Sequence, residues 1–198
     1  MARASTHDRV LDAALTSFGT RGFEPTSLDE LARTLGIRKQ TILYYFPSKE
    51  ALLEGVIDRS AEELTRRLER ALTSAEPGFG RVEAIVKAMF RVAARYPPML
   101  GLLREVSRLG PPHSTRLLTA LDPLVDRAAA FLDAEMAAGR MRRHDPRLLL
   151  LSAYSMVTGL STEVEVLRAF GEEPTLPSLV RRRNELLSFL QAALDPVT

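Results

Sequence analysis

One segment of the chain is rich in side chains that could contact DNA. From Leu31 to Lys49 there is no acidic residue, and the segment holds amides, hydroxyls, tyrosines and cations. Cations and hydroxyls bind phosphates, whereas amides and long basic side chains form hydrogen bonds with base edges in the major groove. A helix that only packed against its neighbours would not need so many donors. The composition of this segment therefore predicts a nucleic-acid contact.

The spacing of the residues predicts two short helices that would position these groups. Ser27 and Glu30 have the spacing of a capping box, which would begin the first helix. Gly36 supplies the backbone freedom for a sharp turn, as in a helix-turn-helix. Ile42 and Phe46 are four residues apart and so should both point inward in the second helix. This leaves four side chains on its outward arcs: Lys39, Gln40, Tyr44 and Tyr45.

A larger set of positions at fixed spacing surrounds this pair of helices. The set comprises Phe18, Gly22, Phe23, Thr26, Ser27, Leu31, Ala32, Leu35, Gly36, Ile37, Thr41, Tyr44, Tyr45, Phe46, Ser48, Lys49 and Glu50. In these positions the stretch from about Val10 to Leu53, about a quarter of the chain, resembles the DNA-binding domain of the TetR family of transcriptional regulators. The chain departs from the family pattern at Arg38, where a small capping residue is usual, and at Leu43, where an aromatic residue is usual.

The resemblance implies two groups of DNA-binding residues. Bases would be read by Lys39 and Gln40. Arg38 departs from the family pattern and cannot cap its own helix, so we expect the helix to lack a side-chain cap and Arg38 to add a third contact. The phosphates would be held by Thr26, Ser27, Thr41, Tyr44, Tyr45 and Lys49. Lys49 opposes the dipole of the helix that it begins, unless a phosphate binds there as well. The alternative is a solvated lysine whose charge is offset by Glu50.

Proline and glycine residues divide the rest of the chain into helices, and no strand-like alternation is visible. The sequence predicts an all-α protein of about nine helices. Residues 1–50 would form an N-terminal three-helix DNA-binding domain, and residues 51–198 a ligand-binding and dimerisation domain. Helix four, about residues 48–74, would bridge the two. Pro123 should kink or restart helix seven.

The second domain contains apolar residues that could surround a ligand. Methionine adapts to irregular shapes, but spacing alone favours a filled core. The resemblance implies an effector pocket among helices four to eight, and no obvious charged cluster is visible, so we expect a mostly hydrophobic effector. The expected lining residues are Met89, Phe90, Met99, Leu103, Phe131, Tyr154 and Met156.

The last two predicted helices are candidates for a dimer surface. Helix eight is apolar on nearly every side between Leu148 and Leu160, and a helix of that kind has to be covered on both faces. Both helices could instead be internal core. The resemblance implies a two-fold dimer interface, for which the expected residues are Met156, Leu160, Leu179, Leu186 and Leu190.

Several other classes of protein are disfavoured by composition. The 198 residues include no cysteine, which excludes disulfides and thiolate metal sites, and the three histidines are too dispersed to share a metal ion. No nucleophile, base and orienting group are arranged together, so we expect neither an enzyme nor a cofactor. No leader sequence or membrane span is visible, and we expect a cytoplasmic protein. The net charge is only +2, so any DNA-binding surface must be local.

Together these features predict a homodimeric repressor that binds a palindromic DNA operator and is released by a small hydrophobic effector. Two regulators remain as alternatives: a constitutive DNA-binding protein without an effector, and an activator. A helical enzyme fused to a DNA-binding domain would need a titratable cluster, and the sequence shows none.

Overall fold

The computed structural model describes residues 5–73 and 75–196, and these residues are all-α, as predicted, without a strand. Their helices are α1 (Thr6–Arg21), α2 (Leu28–Leu35), α3 (Lys39–Tyr45), α4 (Lys49–Thr73), α5 (Phe79–Arg95), α6 (Pro97–Leu109), α7 (His113–Ala137), α8 (Pro146–Thr162), α9 (Val164–Ala169) and α10 (Leu176–Leu194). None of these helices is both long and apolar enough to span a membrane.

The helix count exceeds the predicted nine because the predicted eighth helix is divided into α8 and α9. The break lies at Glu163, whose ψ angle of 68° is not helical. Just before it, the hydroxyls of Thr158 and Ser161 donate to the carbonyls of Tyr154 and Val157, one turn back. Hydroxyls that bond in this way weaken the helical backbone. In contrast, α7 continues through Pro123, so the predicted restart is absent.

The described residues of the first compact unit are 5–63 and 96–120. Its centre is α1, which packs against α2, α3 and α6 through side chains such as Val10, Ala14 and Phe18. Arg59 of α4 donates to the main-chain carbonyl of Asp8 in α1. This unit does not coincide with the predicted domain of residues 1–50, because α6 packs on α1. The functional division into residues 1–50 and 51–198 stays a prediction.

Helices α1 and α6 cross with their backbones in contact. A Cβ atom at Gly101 would lie 1.9 Å from the carbonyl oxygen of Gly19, and a Cβ atom at Gly19 would lie 2.0 Å from that of Pro98. Real Cβ atoms do not approach other atoms so closely. The crossing therefore requires glycine in both helices.

The second compact unit contains residues 64–95 and 121–196, apart from Ser74, which lies outside the described residues. Here α5 packs against α8 and α10, and α10 also packs against α8. A further apolar cluster is formed by Leu132, Met136, Met141 and Leu194. This unit supplies the predicted dimerisation helices.

Candidate nucleic-acid interface

The first unit contains a helix-turn-helix formed by α2 and α3. Gly36 follows α2 in the left-handed conformation (φ 65°, ψ 34°), and its N–H donates to the carbonyls of Ala32 and Arg33. As predicted, Ile42 and Phe46 point inward, with exposed fractions of 0% and 7%. The buried side of α3 is thus fixed by apolar packing, which orients its opposite side outward.

The outward side of α3 presents an amide and two aromatic hydroxyls. Tyr44 is 82% exposed and Tyr45 is 39% exposed, and Gln40 is also exposed. The two tyrosine rings are in edge contact, with centroids 5.1 Å apart. The ring of His7 lies edge-on to Tyr45 at 5.6 Å and stacks on Phe46 at 5.1 Å. His7, which sequence reasoning left aside, therefore supports the orientation of Tyr45.

Arg38 precedes α3 and is exposed. Within the described part of the chain its side chain makes no capping hydrogen bond to α3, which confirms that this helix lacks a side-chain cap. Such a cap is usually worth about 1 kcal/mol. Because the guanidinium is not used for capping, it is available to an external acceptor.

Lys39 is the predicted base-reading residue that already has an internal partner. Its Nζ atom lies 2.8 Å from Oδ2 of Asp29 in α2, and the two side chains are 40% and 61% exposed. A pair this exposed contributes at most about 1 kcal/mol. A base would therefore compete with Asp29 for Lys39, although this pair uses only one of the three ammonium hydrogens. Thr41, two residues further on, is half-buried.

The two acidic residues of α2 are both neutralised by basic partners. Besides the Asp29–Lys39 pair, the carboxylate of Glu30 accepts a hydrogen bond from Arg21. This bond from Arg21 lowers the pKa of Glu30 below its usual value. A DNA backbone next to α2 would thus meet paired rather than free carboxylates.

The loop between α1 and α2 corrects one predicted contact. Thr26 is only 1% exposed, and its hydroxyl donates to the Gly22 carbonyl at 2.8 Å. Because the side chain is enclosed and its hydrogen is used, the prediction that Thr26 holds a phosphate is wrong. Ser27 is exposed, and its Oγ atom accepts the N–H of Glu30 at 3.1 Å, so its hydroxyl hydrogen remains available.

Lys49 is held against this same loop. Its Nζ atom donates to the carbonyl of Glu24 at 3.1 Å and lies 4.2 Å from the centroid of the Phe23 ring. Both contacts favour a fixed position for the ammonium group at the start of α4. The predicted alternative, a solvated lysine offset by Glu50, does not describe these contacts. Two of the three ammonium hydrogens remain for an external anion.

Glu105 in α6 holds the other side of the loop, and sequence reasoning did not find it. Its Oε1 atom accepts the N–H of Phe23 at 2.6 Å, and its carboxylate also pairs with Arg108 at 2.8 Å. These bonds, that from Arg108 foremost, lower the pKa of Glu105. Glu105 is 82 residues from Phe23 in sequence, so no local pattern could have indicated the contact. We refer to Glu105, Lys49 and the loop residues Phe23 and Glu24 as the loop clamp.

The residues predicted to line an effector pocket are divided between the two compact units. Met99 and Leu103 belong to the first unit and the other five to the second. Tyr154 is 43% exposed, which corrects its prediction as part of an interior cavity, whereas Phe131 and Met156 are half-buried. Met89 and Phe90 are buried in the second unit. The pocket itself stays a prediction.

The predicted dimer residues also need correction. Leu186 and Leu190 are 3% and 1% exposed, because this side of α10 packs within its own unit. Met156, Leu160 and Leu179 are half-buried. The apolar side chains that do lie on the surface of α8 and α10 are Leu148, Leu151, Tyr154, Leu176, Val180 and Phe189. Val180 and Phe189 are nine residues apart, about half a turn around α10, so Phe189 lies on another side, and we call the other five residues the apolar face.

Comparison with known proteins places this geometry in a family. Residues 10–56 match the family model described as "Bacterial regulatory proteins, tetR family". The chain is similar to the HTH-type transcriptional regulator RutR of Escherichia coli K12, with 28% identity over 147 residues, which are 74% of this chain and 69% of RutR.

Solved structures share the fold over nearly the whole chain. A TetR transcriptional regulator from Chloroflexus aurantiacus is 21% identical, with a TM-score of 0.78 and coverage of 97% of each chain. The regulator FadR from Bacillus subtilis, solved with stearoyl-CoA, is 16% identical, with a TM-score of 0.79 and coverage of 95% of this chain and 99% of FadR. The chain thus shares the fold of these regulators over nearly its whole length.

Proposed function

Because the chain belongs to the TetR family and is a DNA-binding transcriptional regulator, we propose that it is a homodimeric repressor released from a palindromic operator by a small effector. One observation carries the proposal. The exposed side of α3 presents Gln40 and Tyr44, and no acidic residue lies between positions 31 and 49. That surface would meet little repulsion from the phosphate backbone.

Base reading is assigned to the beginning of α3. Gln40 is exposed and carries both a donor and an acceptor, which suits a bidentate contact with adenine. Among the described residues the side chain of Arg38 has no hydrogen-bond or ion-pair partner, and its guanidinium suits guanine O6 and N7. Lys39 would join them by exchanging Asp29 for a base acceptor.

Phosphate contacts are assigned to residues around that helix. Tyr44 and Tyr45 supply exposed hydroxyls, and Thr41 and Ser27 supply hydroxyls at the edges of the surface. Lys49 adds a charge whose position is fixed by the loop clamp. These groups would set the register of α3 in the groove without reading sequence.

The apolar face supports the homodimer. Its five side chains are between 43% and 68% exposed and lie on two neighbouring helices of the second unit. Covering such a face removes apolar surface from water, at about 25 cal/mol per Å². A second copy would cover it symmetrically, and two α3 helices related by a two-fold axis require a palindromic operator.

The second unit is the part of the molecule that would bind the effector. We expect a small, mostly hydrophobic compound bound in the second unit near Met89 and Phe90. FadR was solved with stearoyl-CoA, and a regulator from Saccharomonospora viridis with the same fold was solved with choline, so the fold takes ligands of different chemistry. The ligand would release DNA only by its difference in affinity between the two conformations. No catalytic role is proposed.

DNA titration at several salt concentrations tests the proposal. The operator would first be selected from a random duplex library, in which a palindromic consensus is the expected result. Gln40→Ala should weaken binding to that consensus by about 1–3 kcal/mol and relax sequence preference. Lys49→Ala should weaken operator and random DNA alike and reduce the salt slope by about one.

Arg143→Gln is the matched control, because Arg143 is an exposed cation of the second unit. It should leave operator affinity and the salt slope unchanged. If Gln40→Ala retains wild-type affinity and preference, or if Lys49→Ala binds normally at every salt concentration, the assignment of α3 and its flanks is wrong.

A further inference from the structure

The second unit contains a groove between the C-terminal half of α4 and α5 that is separate from the residues predicted to bind the effector. Its volume is about 580 Å³, within the usual range for small-molecule sites. The residues of α5 that line the groove recur every three or four positions from Gly80 to Arg95, which corresponds to about 22 Å along the helix. We call it the cationic groove.

Basic side chains dominate the walls of the cationic groove. Five arginine and lysine residues line it, against the two carboxylates Glu76 and Glu83, which gives a local net charge of +3. The whole protein has a net charge of only +2. The groove thus has a higher net positive charge than the chain as a whole.

The arrangement of these charges is unfavourable while the groove is empty. Lys87, Arg91 and Arg95 follow one another at four-residue spacing on α5, and like charges at that spacing repel. Lys87 is relieved by Glu83, whose Oε1 atom is 2.7 Å from the ammonium. Among residues 5–73 and 75–196, Arg91 and Arg95 have no such ion-pair partner, and neither does Arg70 across the groove. A bound anion would supply the missing partner.

The floor of the groove is apolar and made of small side chains. Ala71, Ala84 and Ala88 lie between the charged walls, with Ala88 3% exposed and the other two half-buried. Long side chains at these positions would fill the recess. The small floor therefore leaves space for the apolar body of a ligand, rather than for an ion alone.

The two ends of the groove differ in charge, which gives a ligand a direction. Glu76 and Glu83 lie at the end next to the α4–α5 connection, and Arg91 and Arg95 lie towards the other end. We propose that the cationic groove binds a small amphiphilic organic anion, with its carboxylate or phosphate between Arg91 and Arg95 and its apolar body over the alanine floor. This site lies beyond the proposed DNA-binding function and does not depend on it.

Calorimetric titration without DNA tests the site on the full chain. The probes are octanoate, its neutral analogue octanamide and the cation octylammonium. Octanoate should bind, more weakly as salt is raised, whereas the other two should not. Arg91→Gln and Arg95→Gln should each weaken octanoate binding about tenfold, the loss expected for a charge-assisted hydrogen bond.

Two further variants separate the groove from a general charge effect. Ala84→Met retains every charge but fills the floor, and it should also weaken octanoate binding. Arg143→Gln removes an exposed charge elsewhere in the unit and should bind like the wild type. The arginine variants should keep the wild-type melting temperature or exceed it, because they remove like-charge repulsion.

Three results would overturn the site: no octanoate binding by the wild type, octanoate affinity unchanged in both arginine variants, or octanamide binding as tightly as octanoate. Failure of operator binding in a separate experiment would leave these measurements intact. The cationic groove and the DNA-binding proposal can thus fail independently.

Discussion

Replacing Glu105 tests whether α6 holds the loop before the helix-turn-helix. In Glu105→Ala the N–H of Phe23 loses an ionised acceptor at 2.6 Å in a part-buried position. A hydrogen bond to a charged group is worth about 1.5–3 kcal/mol. The lost pair with Arg108 adds little, because that arginine is 59% exposed. We therefore expect a loss of about 2 kcal/mol in the free energy of unfolding.

The control is Arg108→Gln, which removes the arginine and leaves the bond from Phe23 to Glu105 in place. It should cost less than about 1 kcal/mol. In thermal unfolding followed by circular dichroism, the alanine variant should melt about 4–8 °C below the wild type for a protein of this size. The DNA affinity of Glu105→Ala should fall as well, since the loop carries Ser27 and the partners of Lys49.

Acid should remove the difference in unfolding free energy between the wild type and Glu105→Gln, whose side chain is neutral at every pH. Folding lowers the pKa of Glu105, so its contribution is complete above the unfolded value of about 4.3 and is lost as pH falls through the folded pKa. The gap in unfolding free energy between wild type and Glu105→Gln should thus be constant from about pH 6 to 8 and should shrink as pH falls below about 4.3. If Glu105→Ala costs no more than Arg108→Gln at neutral pH, Glu105 does not hold the loop.

Two other features give direct predictions. Gly101→Ala places a Cβ atom 1.9 Å from a carbonyl oxygen, so α6 would have to move away from α1. We expect this to lower the free energy of unfolding by about 3 kcal/mol, as measured by thermal unfolding. In Gly159→Ala the added Cβ atom meets nothing within 4 Å, so this variant should instead be more stable than the wild type by about 0.5–1 kcal/mol. Equal effects of the two substitutions would refute the close crossing of α1 and α6. Leu151→Glu, on the apolar face, should give monomers in sedimentation, whereas Leu118→Glu, equally exposed in the first unit, should not. Dimers that persist in both Leu151→Glu and Leu148→Glu would place the interface elsewhere.

The helix-turn-helix could be predicted because its signals are local. The turn at Gly36 needs a positive φ, and the spacing of Ile42 and Phe46 defines one buried side of a helix. The absence of a cap at Arg38 followed from its side-chain chemistry alone. Each of these features depends on residues within one or two helical turns.

The loop clamp could not be predicted, because it depends on distant packing. Thr26 has the residue type of a phosphate contact, but the fold encloses it and directs its hydroxyl to Gly22. Glu105 has no sequence signal that links it to Phe23. The side of α10 that packs inside its own unit could not be predicted either. An apolar stripe that includes Leu186 shows only that some surface must cover it. Whether the same chain or a partner covers it is decided by α5 and α8.

The ion pair between Lys39 and Asp29 gives this DNA-binding surface an internal competitor for the nucleic acid. A lysine that is already neutralised releases few bound ions when it approaches a phosphate, so it adds little to the sequence-independent attraction of the duplex. It gains from DNA only where a base edge is a better acceptor than the carboxylate that it leaves. If Lys39 reads a base as proposed, it would therefore add little to the binding of random DNA and would contribute mainly at sites that have the right base.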